Sequence, residues 1–190
     1  KQITFFKKKF NILSPEEFFS YVEKKKIPNK TSILLTFDDG YKDHYEFVFK
    51  YLKKNNLKGL FYPPASILNK NCVLDVNKIQ FFMAKEKNKK KIFMKIKKIL
   101  KLKYKIDLDN FLKKNRNKIL KINSKFDDKN TSLIKALLQK LLPKSQRKFI
   151  IDELFKVIVT KNIEKFSSEL YLNFENIQEM RQSGMYFGSH

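Results

Sequence analysis

The sequence is poor in cysteine and histidine, and it has no long apolar run. Its 190 residues include one cysteine, Cys72, which excludes an internal disulfide framework and a multi-cysteine zinc ribbon. Any metal must therefore be held by histidine and carboxylate. No run of ~18 apolar residues predicts a transmembrane helix, and no segment has the charged and apolar regions of a signal peptide. Location is left open, with the cell envelope and the cytoplasmic face of a membrane both compatible.

Arginine and acidic residues are also scarce, whereas lysine is abundant. Lys and Arg total 42 against 19 Asp and Glu, a net charge of +23, yet only Arg116, Arg147 and Arg181 are arginines. Base recognition relies on the bidentate guanidinium fork, so a lysine excess argues against nucleic acid as the partner. Abundant Phe, Ile, Asn and Lys is also what an AT-rich coding sequence favours. The charge alone therefore assigns no partner.

The first part of the chain has the pattern of alternating strands and helices. Residues 14–17 (Ser-Pro-Glu-Glu) form a capping box with proline at the first helical position, which predicts a helix start. The apolar run at 33–37 predicts a buried strand, 45–52 an amphipathic helix, and 59–62 a second strand ended by two prolines. This order predicts a parallel sheet or barrel.

The middle of the chain has a different pattern, with no predicted strand between residues 75 and 171. These residues hold 27 Lys and Arg against 10 Asp and Glu, so most of the excess charge lies here. We interpret the segment as an all-helical basic insertion. The predicted helices are near 76–87, 90–104, 108–121, 131–142 and 146–160.

The strand and helix pattern of the first part resumes at residue 172. Asn173 can cap a helix that Gly184 ends, and residues 185–189 predict a strand that leads to His190. The predicted organisation is therefore a barrel part at 1–74, the insertion at 75–171, and a resumed barrel part at 172–190.

Two adjacent carboxylates, Asp38 and Asp39, follow the strand at 33–37 and precede Gly40. In a parallel α/β barrel, active sites lie at the carboxyl ends of the strands. Two carboxylates this close repel each other, so a cation would fix one as an anion and leave the other free to take a proton. The alternative is that Asp-Asp-Gly is simply a turn, for which these residues are common.

His190 follows a second predicted strand and is the other candidate ligand. An aspartate and a histidine are ligands that zinc accepts, but a catalytic site needs about three protein ligands, and the third is not in this chain. We interpret His44 as a surface or packing residue, and we expect Tyr41 to line the mouth of the site.

Residues 34–41 (Leu-Leu-Thr-Phe-Asp-Asp-Gly-Tyr) resemble the first motif of the polysaccharide deacetylases, carbohydrate esterase family four. Residues 14–18 resemble the element that commonly precedes it, and 184–190 resemble the approach to the second motif, in which two histidines supply metal ligands. The resemblance covers about 11–72 and 172–190. It implies an α/β fold, a distorted (β/α) barrel that is incomplete here and interrupted by the large all-helical insertion.

The resemblance also implies an activity and a role for each matched residue. Asp38 would be the general base, Asp39 a ligand of a divalent metal, with zinc expected, and His190 a second ligand. The reaction would be hydrolysis of the N-acetyl amide of a polysaccharide or a lipid-linked saccharide. We expect the 190-residue chain to be inactive, since a third ligand and the later motifs would lie beyond His190.

Two other functions stay open at this point. One is a deacylase of a different amide, such as a formamide, or a metal-free relative. The other is a barrel remnant that serves as a basic binding module for anionic lipid, glycan or nucleic acid, with Asp38 and Asp39 as turn residues.

Residues 85–105 contain eleven lysines, one glutamate and a helical stripe of apolar residues. Such a helix could lie on an anionic membrane surface. Alternatively, its stripe packs on neighbouring helices and its basic face is only solvated. A groove for an acidic glycan is the third interpretation.

Overall fold

The computed structural model describes residues 2–68, 72–120 and 127–189. The chain divides into two compact units. Unit 1 comprises Lys1–Cys72 with Glu164–His190, and unit 2 comprises Val73–Ile163. Each unit has its own cluster of buried apolar side chains. None of the described helices has the length and apolar character needed to cross a membrane.

The first part of unit 1 alternates helices with strands of three residues. A π-helix, His44–Phe49, runs directly into α3, and a 3-10 turn, Ala65–Leu68, follows β4. The elements in chain order are α1 Gln2–Lys9, β1 Asn11–Leu13, α2 Pro15–Glu23, β2 Ser32–Leu34, β3 Thr36–Asp38, α3 Lys50–Lys54 and β4 Leu60–Tyr62.

The described part of unit 2 contains helices and no strand. The helices predicted near 76–87, 90–104, 131–142 and 146–160 are present with shifted ends, whereas the one predicted at 108–121 is divided at Asn115, and residue 121 lies outside the described residues. A π-helical turn, Leu137–Leu141, continues α8. The helices are α4 Asp75–Lys85, α5 Lys89–Tyr104, α6 Leu108–Lys114, α7 Arg116–Leu120, α8 Lys129–Ala136 and α9 Lys144–Ile158. Their apolar sides form one core that includes Phe82, Ile96 and Leu154.

The chain returns to unit 1 through α10 (Ile163–Leu170), α11 (Phe174–Gln182) and β5 (Tyr186–Phe187). The sequence analysis did not predict α10. The predicted cap of α11 is confirmed, because the Asn173 side chain accepts a hydrogen bond of 2.8 Å from the Asn176 backbone N–H. The predicted capping box of α2 is confirmed as well, with reciprocal hydrogen bonds between Ser14 and Glu17.

The strands form two small parallel sheets. One pairs β1 with β2, and the other has the order β3–β4–β5. The strand predicted at 33–37 is thus divided at Leu35 into β2 and β3, which pair with different neighbours. The core of unit 1 includes Phe49, Leu52 and Phe61, which pack with Met180 and Met185 from the returning segment.

The described residues do not form a closed barrel, and the sequence predicts a distorted barrel that is incomplete in this chain. A (β/α) barrel closes with eight parallel strands, whereas the described residues supply five, each of two or three residues. The parallel pairing and the intervening helices agree with an α/β arrangement at this coarser level, although most of the described chain is helical. The barrel and the insertion into it remain predictions.

Candidate active site

The turn after β3 has an unusual backbone. Asp38 is exposed at the end of the strand, and the next two residues, Asp39 and Gly40, both have positive φ, +69° and +64°. Aspartate is one of the few residues with a side chain that enters this left-handed region readily, and glycine enters it without steric cost. Two such residues in succession end the strand and interrupt the alternation of its side chains.

Gly40 also packs closely against the segment after β4. A Cβ atom at position 40 would collide with Cδ1 of Ile67 and lie 2.7 Å from Cβ of Pro63. Since ordinary carbon contacts begin near 3.4 Å, neither neighbour leaves room for a side chain. Gly40 is therefore required both by its φ angle and by this packing.

The backbone that follows Asp39 is hydrogen-bonded to the last residue of α10 and to the segment just after it. The Leu172 N–H donates to the Gly40 carbonyl at 2.9 Å, and the Lys42 N–H donates to the Leu170 carbonyl at 2.8 Å. Between them, the Tyr41 ring stacks on the buried ring of Tyr171 with centroids 6.1 Å apart. The half-buried Tyr41 thus has a packing role here. A contact between Tyr41 and substrate stays a prediction.

His44 packs among aromatic rings, as the sequence analysis interpreted it. Its ring centroid lies 5.7 Å from that of Phe37, 5.9 Å from that of Tyr41 and 5.9 Å from that of Phe61. Its Nδ1 atom is buried and has no hydrogen-bond partner in the described part of the chain. The environment of the ring is therefore largely apolar.

The protonation of His44 follows from that environment. Burial lowers its pKa below the ordinary value of 6.5, although the negative charges of Asp43, Asp39 and Asp38 act in the opposite direction. The neutral imidazole is thus favoured at pH 7.

The carboxyl ends of β3, β4 and β5 lie along one edge of their sheet. Asp38 is the register partner of Tyr62 at the end of β4. The Gly188 N–H donates to the Phe61 carbonyl at 2.9 Å, so the hydrogen bonding between β4 and β5 continues one residue past β5. Because neighbouring strands are about 4.8 Å apart, roughly 10 Å separates the ends of β3 and β5.

Tyr62 is a residue of this edge that the sequence analysis did not single out. A Cβ atom at Gly188 would lie 2.6 Å from Cε1 of Tyr62, so the tyrosine ring covers the backbone of position 188. Its place between Asp38 and Gly188 makes Tyr62 a neighbour of the candidate site. The signal available in the sequence was its position immediately before Pro63 and Pro64, which we used only to end the strand.

The predicted metal set is only partly within the described residues. Asp38 and Asp39 are hard oxygen donors that suit a divalent cation. His190 lies outside the described residues. Within 2–68, 72–120 and 127–189, no three side chains of His, Cys, Asp or Glu come together to hold an ion. The carboxylate chemistry thus fits a metal, but Asp39 alone is not a complete ligand set, and the roles of Asp38, Asp39 and His190 remain predictions.

A second polar cluster lies where β4 and β5 begin. Glu16 of α2 forms an ion pair with Lys58, and both side chains are about 40% exposed. The hydrogen bond to Glu16 raises the pKa of Lys58. An open cavity of about 540 Å³ beside them is lined in part by Glu16, Arg181 and Tyr186. In parallel barrels this end of the strands serves stability rather than catalysis, so we assign the cluster a structural role.

Comparison with known proteins supports the resemblance seen in the first motif. Residues 25–98 match the family model described as polysaccharide deacetylase. The matched segment contains β2, β3 and β4, and with them Asp38, Asp39 and Tyr41. It continues into α4 and α5 and ends before β5. The searches of curated proteins and of solved structures each found no match.

The similarity to the polysaccharide deacetylase model therefore lies in the N-terminal part of this chain, at residues 25–98. The match supports a deacetylase-type hydrolase as the class of protein and an acetylated carbohydrate as the class of substrate. It does not extend to the segment before His190, so the resemblance of 184–190 to the second motif stays a prediction.

Proposed function

We propose that this protein is part of a metal-dependent deacetylase that removes N-acetyl groups from a polysaccharide or a saccharide precursor. The observation that carries the proposal is the position of Asp38 and Asp39 within the matched segment, at the carboxyl end of a parallel strand. That end is where parallel α/β folds place catalytic groups. The complete fold that we propose is a distorted barrel interrupted by the helices of unit 2.

In this proposal, Asp39 and His190 hold a divalent ion, with zinc our first choice. The bound ion would polarise the amide carbonyl and lower the pKa of water, as divalent cations do in metal-assisted hydrolysis. Asp39 suits the ligand role because its half-buried side chain follows directly on the strand and its φ angle turns the chain there. A third ligand would come from a histidine four positions beyond His190.

Asp38 is the proposed general base. Its side chain is exposed, so water and an amide substrate can both reach it. It would take a proton from the attacking water as the oxygen adds to the carbonyl carbon, and the amine would leave after protonation. The products would be acetate and an amino sugar.

The experiment measures acetate release from N-acetylglucosamine oligomers by the full-length protein, with and without a chelator. Asp38→Asn keeps the size of the side chain but removes the base, so we expect activity to fall roughly 100- to 10,000-fold while bound zinc is retained. Asp39→Asn should lose the zinc as well. Asparagine also tolerates positive φ, so the turn should survive this change.

Asp43→Asn is the matched control, because Asp43 is an exposed carboxylate on the same segment and has no role in the proposal. Its activity should stay within about 3-fold of the unmodified protein. Activity that persists in Asp38→Asn, or that a chelator leaves unchanged, would overturn the assigned base or the metal dependence, respectively.

A further inference from the structure

Helix α5 has two sides with different roles. Ile92, Ile96 and Leu100 are fully buried in the core of unit 2. The apolar stripe that the sequence analysis considered for a membrane contact is therefore covered by helices of its own unit. Any partner must use the opposite side of α5.

The opposite side combines lysines with exposed apolar residues, and we call it the lysine face. At 100° per residue its members fall within roughly a third of the helix circumference. No acidic residue occurs anywhere in α5. The lysine face consists of Lys91, Met94, Lys95, Lys98, Lys101 and Leu102.

The charges of this face are available to a partner. Other lysines of α5 are engaged, since Lys97 pairs with Asp109 and Lys103 lies 3.6 Å from the ring centroid of Phe149. The four lysines of the lysine face have no ion-pair partner among the residues that the structure describes. Unit 2 as a whole has 26 Lys and Arg against 8 Asp and Glu, a net charge of +18.

One acidic residue lies next to the lysine face. Glu153 of α9 lines a shallow cavity together with Lys95, Lys98 and Val157. Its carboxylate is 3.7 Å from Lys156, a neighbour on its own helix. A single carboxylate that is shared in this way leaves the face strongly positive.

The apolar members of the face are unusually exposed for their size. Met94 is 61% exposed and Leu102 is 62% exposed, and Val157, which lies beside Lys95 and Lys98, is 63% exposed. Long apolar side chains between lysines suit a surface that offers negative charge outside and hydrocarbon beneath. Each could gain free energy by entering the boundary between the headgroups and the acyl chains.

We propose that unit 2 binds the surface of an anionic lipid bilayer through the lysine face of α5. The lysines would be attracted to the negative surface, and the apolar side chains would insert between the headgroups. A nucleic acid would satisfy the charges only, and the face lacks arginine, the residue that phosphate and base recognition favours. This binding is separate from the proposed deacetylase activity and would localise it to a membrane.

The first test measures co-sedimentation of the full chain with vesicles of phosphatidylcholine mixed with phosphatidylglycerol. The variant changes Lys91, Lys95, Lys98 and Lys101 to glutamine. We expect binding to weaken roughly 100-fold or more, because each of the four lysines near an anionic surface adds to the attraction. These residues are exposed, so the helical circular dichroism spectrum should not change.

A matched control removes the same charge elsewhere on unit 2. It changes four other exposed lysines to glutamine: Lys113, Lys114, Lys118 and Lys144. This variant should retain vesicle binding within a few-fold, because its four lysines belong to α6, α7 and α9 and are not members of the lysine face. Equal losses in the two variants would show a net-charge effect without a defined face and would overturn the proposal.

The second test asks whether the apolar members insert. The chain contains no tryptophan, so a Leu102→Trp variant has a single reporter of its surroundings. Its emission should shift to the blue on addition of the mixed vesicles, but not with pure phosphatidylcholine or with single-stranded DNA. A Lys118→Trp variant should show no shift.

An unshifted Leu102→Trp spectrum in the presence of bound vesicles would overturn insertion. Equal or tighter binding to single-stranded DNA, abolished by the same four lysine substitutions, would assign the face to a nucleic acid instead. Either result would be independent of acetate release, which does not enter these measurements.

Discussion

Gly40 is the residue on which the geometry of the candidate site most directly depends. It has a positive φ and a backbone that touches the segment after β4, so it meets two constraints at once. Gly184 offers a comparison, because its φ is also positive, at +84°, but an added Cβ would meet only the flexible side chain of Lys58 at 3.2 Å. A comparison of alanine variants at the two positions therefore separates the cost of backbone strain from the cost of overpacking.

We expect Gly40→Ala to lower the free energy of unfolding by about 3 kcal/mol, because left-handed strain and overpacking add together. Gly184→Ala should cost only about 1 kcal/mol, for the strain alone. Urea denaturation of both variants measures the difference. Equal losses would show that the contacts of Gly40 with Ile67 and Pro63 are readily relieved.

At the scale of single residues, the features that depend on nearby residues in the chain could be predicted from the sequence. The Asp-Asp-Gly turn, the capping box at Ser14 and the Asn173 cap all depend on residues within three positions of one another. Tyr62 was missed because its relation to Asp38 and Gly188 depends on strand pairing. A single residue before two prolines does not reveal that pairing.

At the scale of elements, α4 and α9 are joined by a buried ion pair. The Lys78 ammonium lies 2.6 Å from the Asp152 carboxylate, and the Lys78 side chain is only 7% exposed. A charge so buried depends on its partner, because the interior offers no water to replace it. Glu153, the next residue along α9, forms an exposed pair with Lys156 and supplies the contrast.

Asp152→Ala should destabilise the protein by about 1 to 3 kcal/mol, because it leaves the Lys78 ammonium buried without its main acceptor. Glu153→Ala removes a carboxylate from the same helix, but the cost should be at most about 0.5 kcal/mol. Thermal unfolding followed by circular dichroism checks both values. A Glu153→Ala variant as unstable as Asp152→Ala would contradict the argument from burial.

The elements also show where patterns in the sequence reach their limit. The periodicity of α5 predicted its apolar stripe, and the structure places that stripe in the core of unit 2. The run at 33–37 predicted one strand, yet Leu35 divides it between two sheets. The spacing of apolar residues identifies a strand or a helix, but it does not show which other element packs against it or pairs with it.

At the scale of the whole molecule, the two units differ in how their cores are assembled. The core of unit 2 comes from one continuous segment, Val73–Ile163. Unit 1 draws on two distant segments, because Leu172, Met180 and Met185 pack with residues of the first 72. The covalent continuity of unit 2 suggests independent folding.

A fragment of residues 73–163 should therefore fold by itself, with a helical circular dichroism spectrum and a cooperative thermal transition. A fragment of residues 1–72 should not, because it lacks the side chains that complete its core. Both fragments can be compared with the full chain under the same conditions. A non-cooperative melt of 73–163 would show that its core is insufficient alone.

The sequence by itself determined the features that arise from short-range interactions: the caps of α2 and α11, the turn at Asp39 and Gly40, the helices of unit 2 and the likeness of the first motif to the polysaccharide deacetylases. Only the tertiary structure decided which side of α5 is buried and that Tyr41 packs on Tyr171, a residue 130 positions away. The physical reason is that caps and turns are stabilised by bonds within a few residues. Burial and strand pairing depend instead on which distant segments meet, because apolar attraction has no direction of its own.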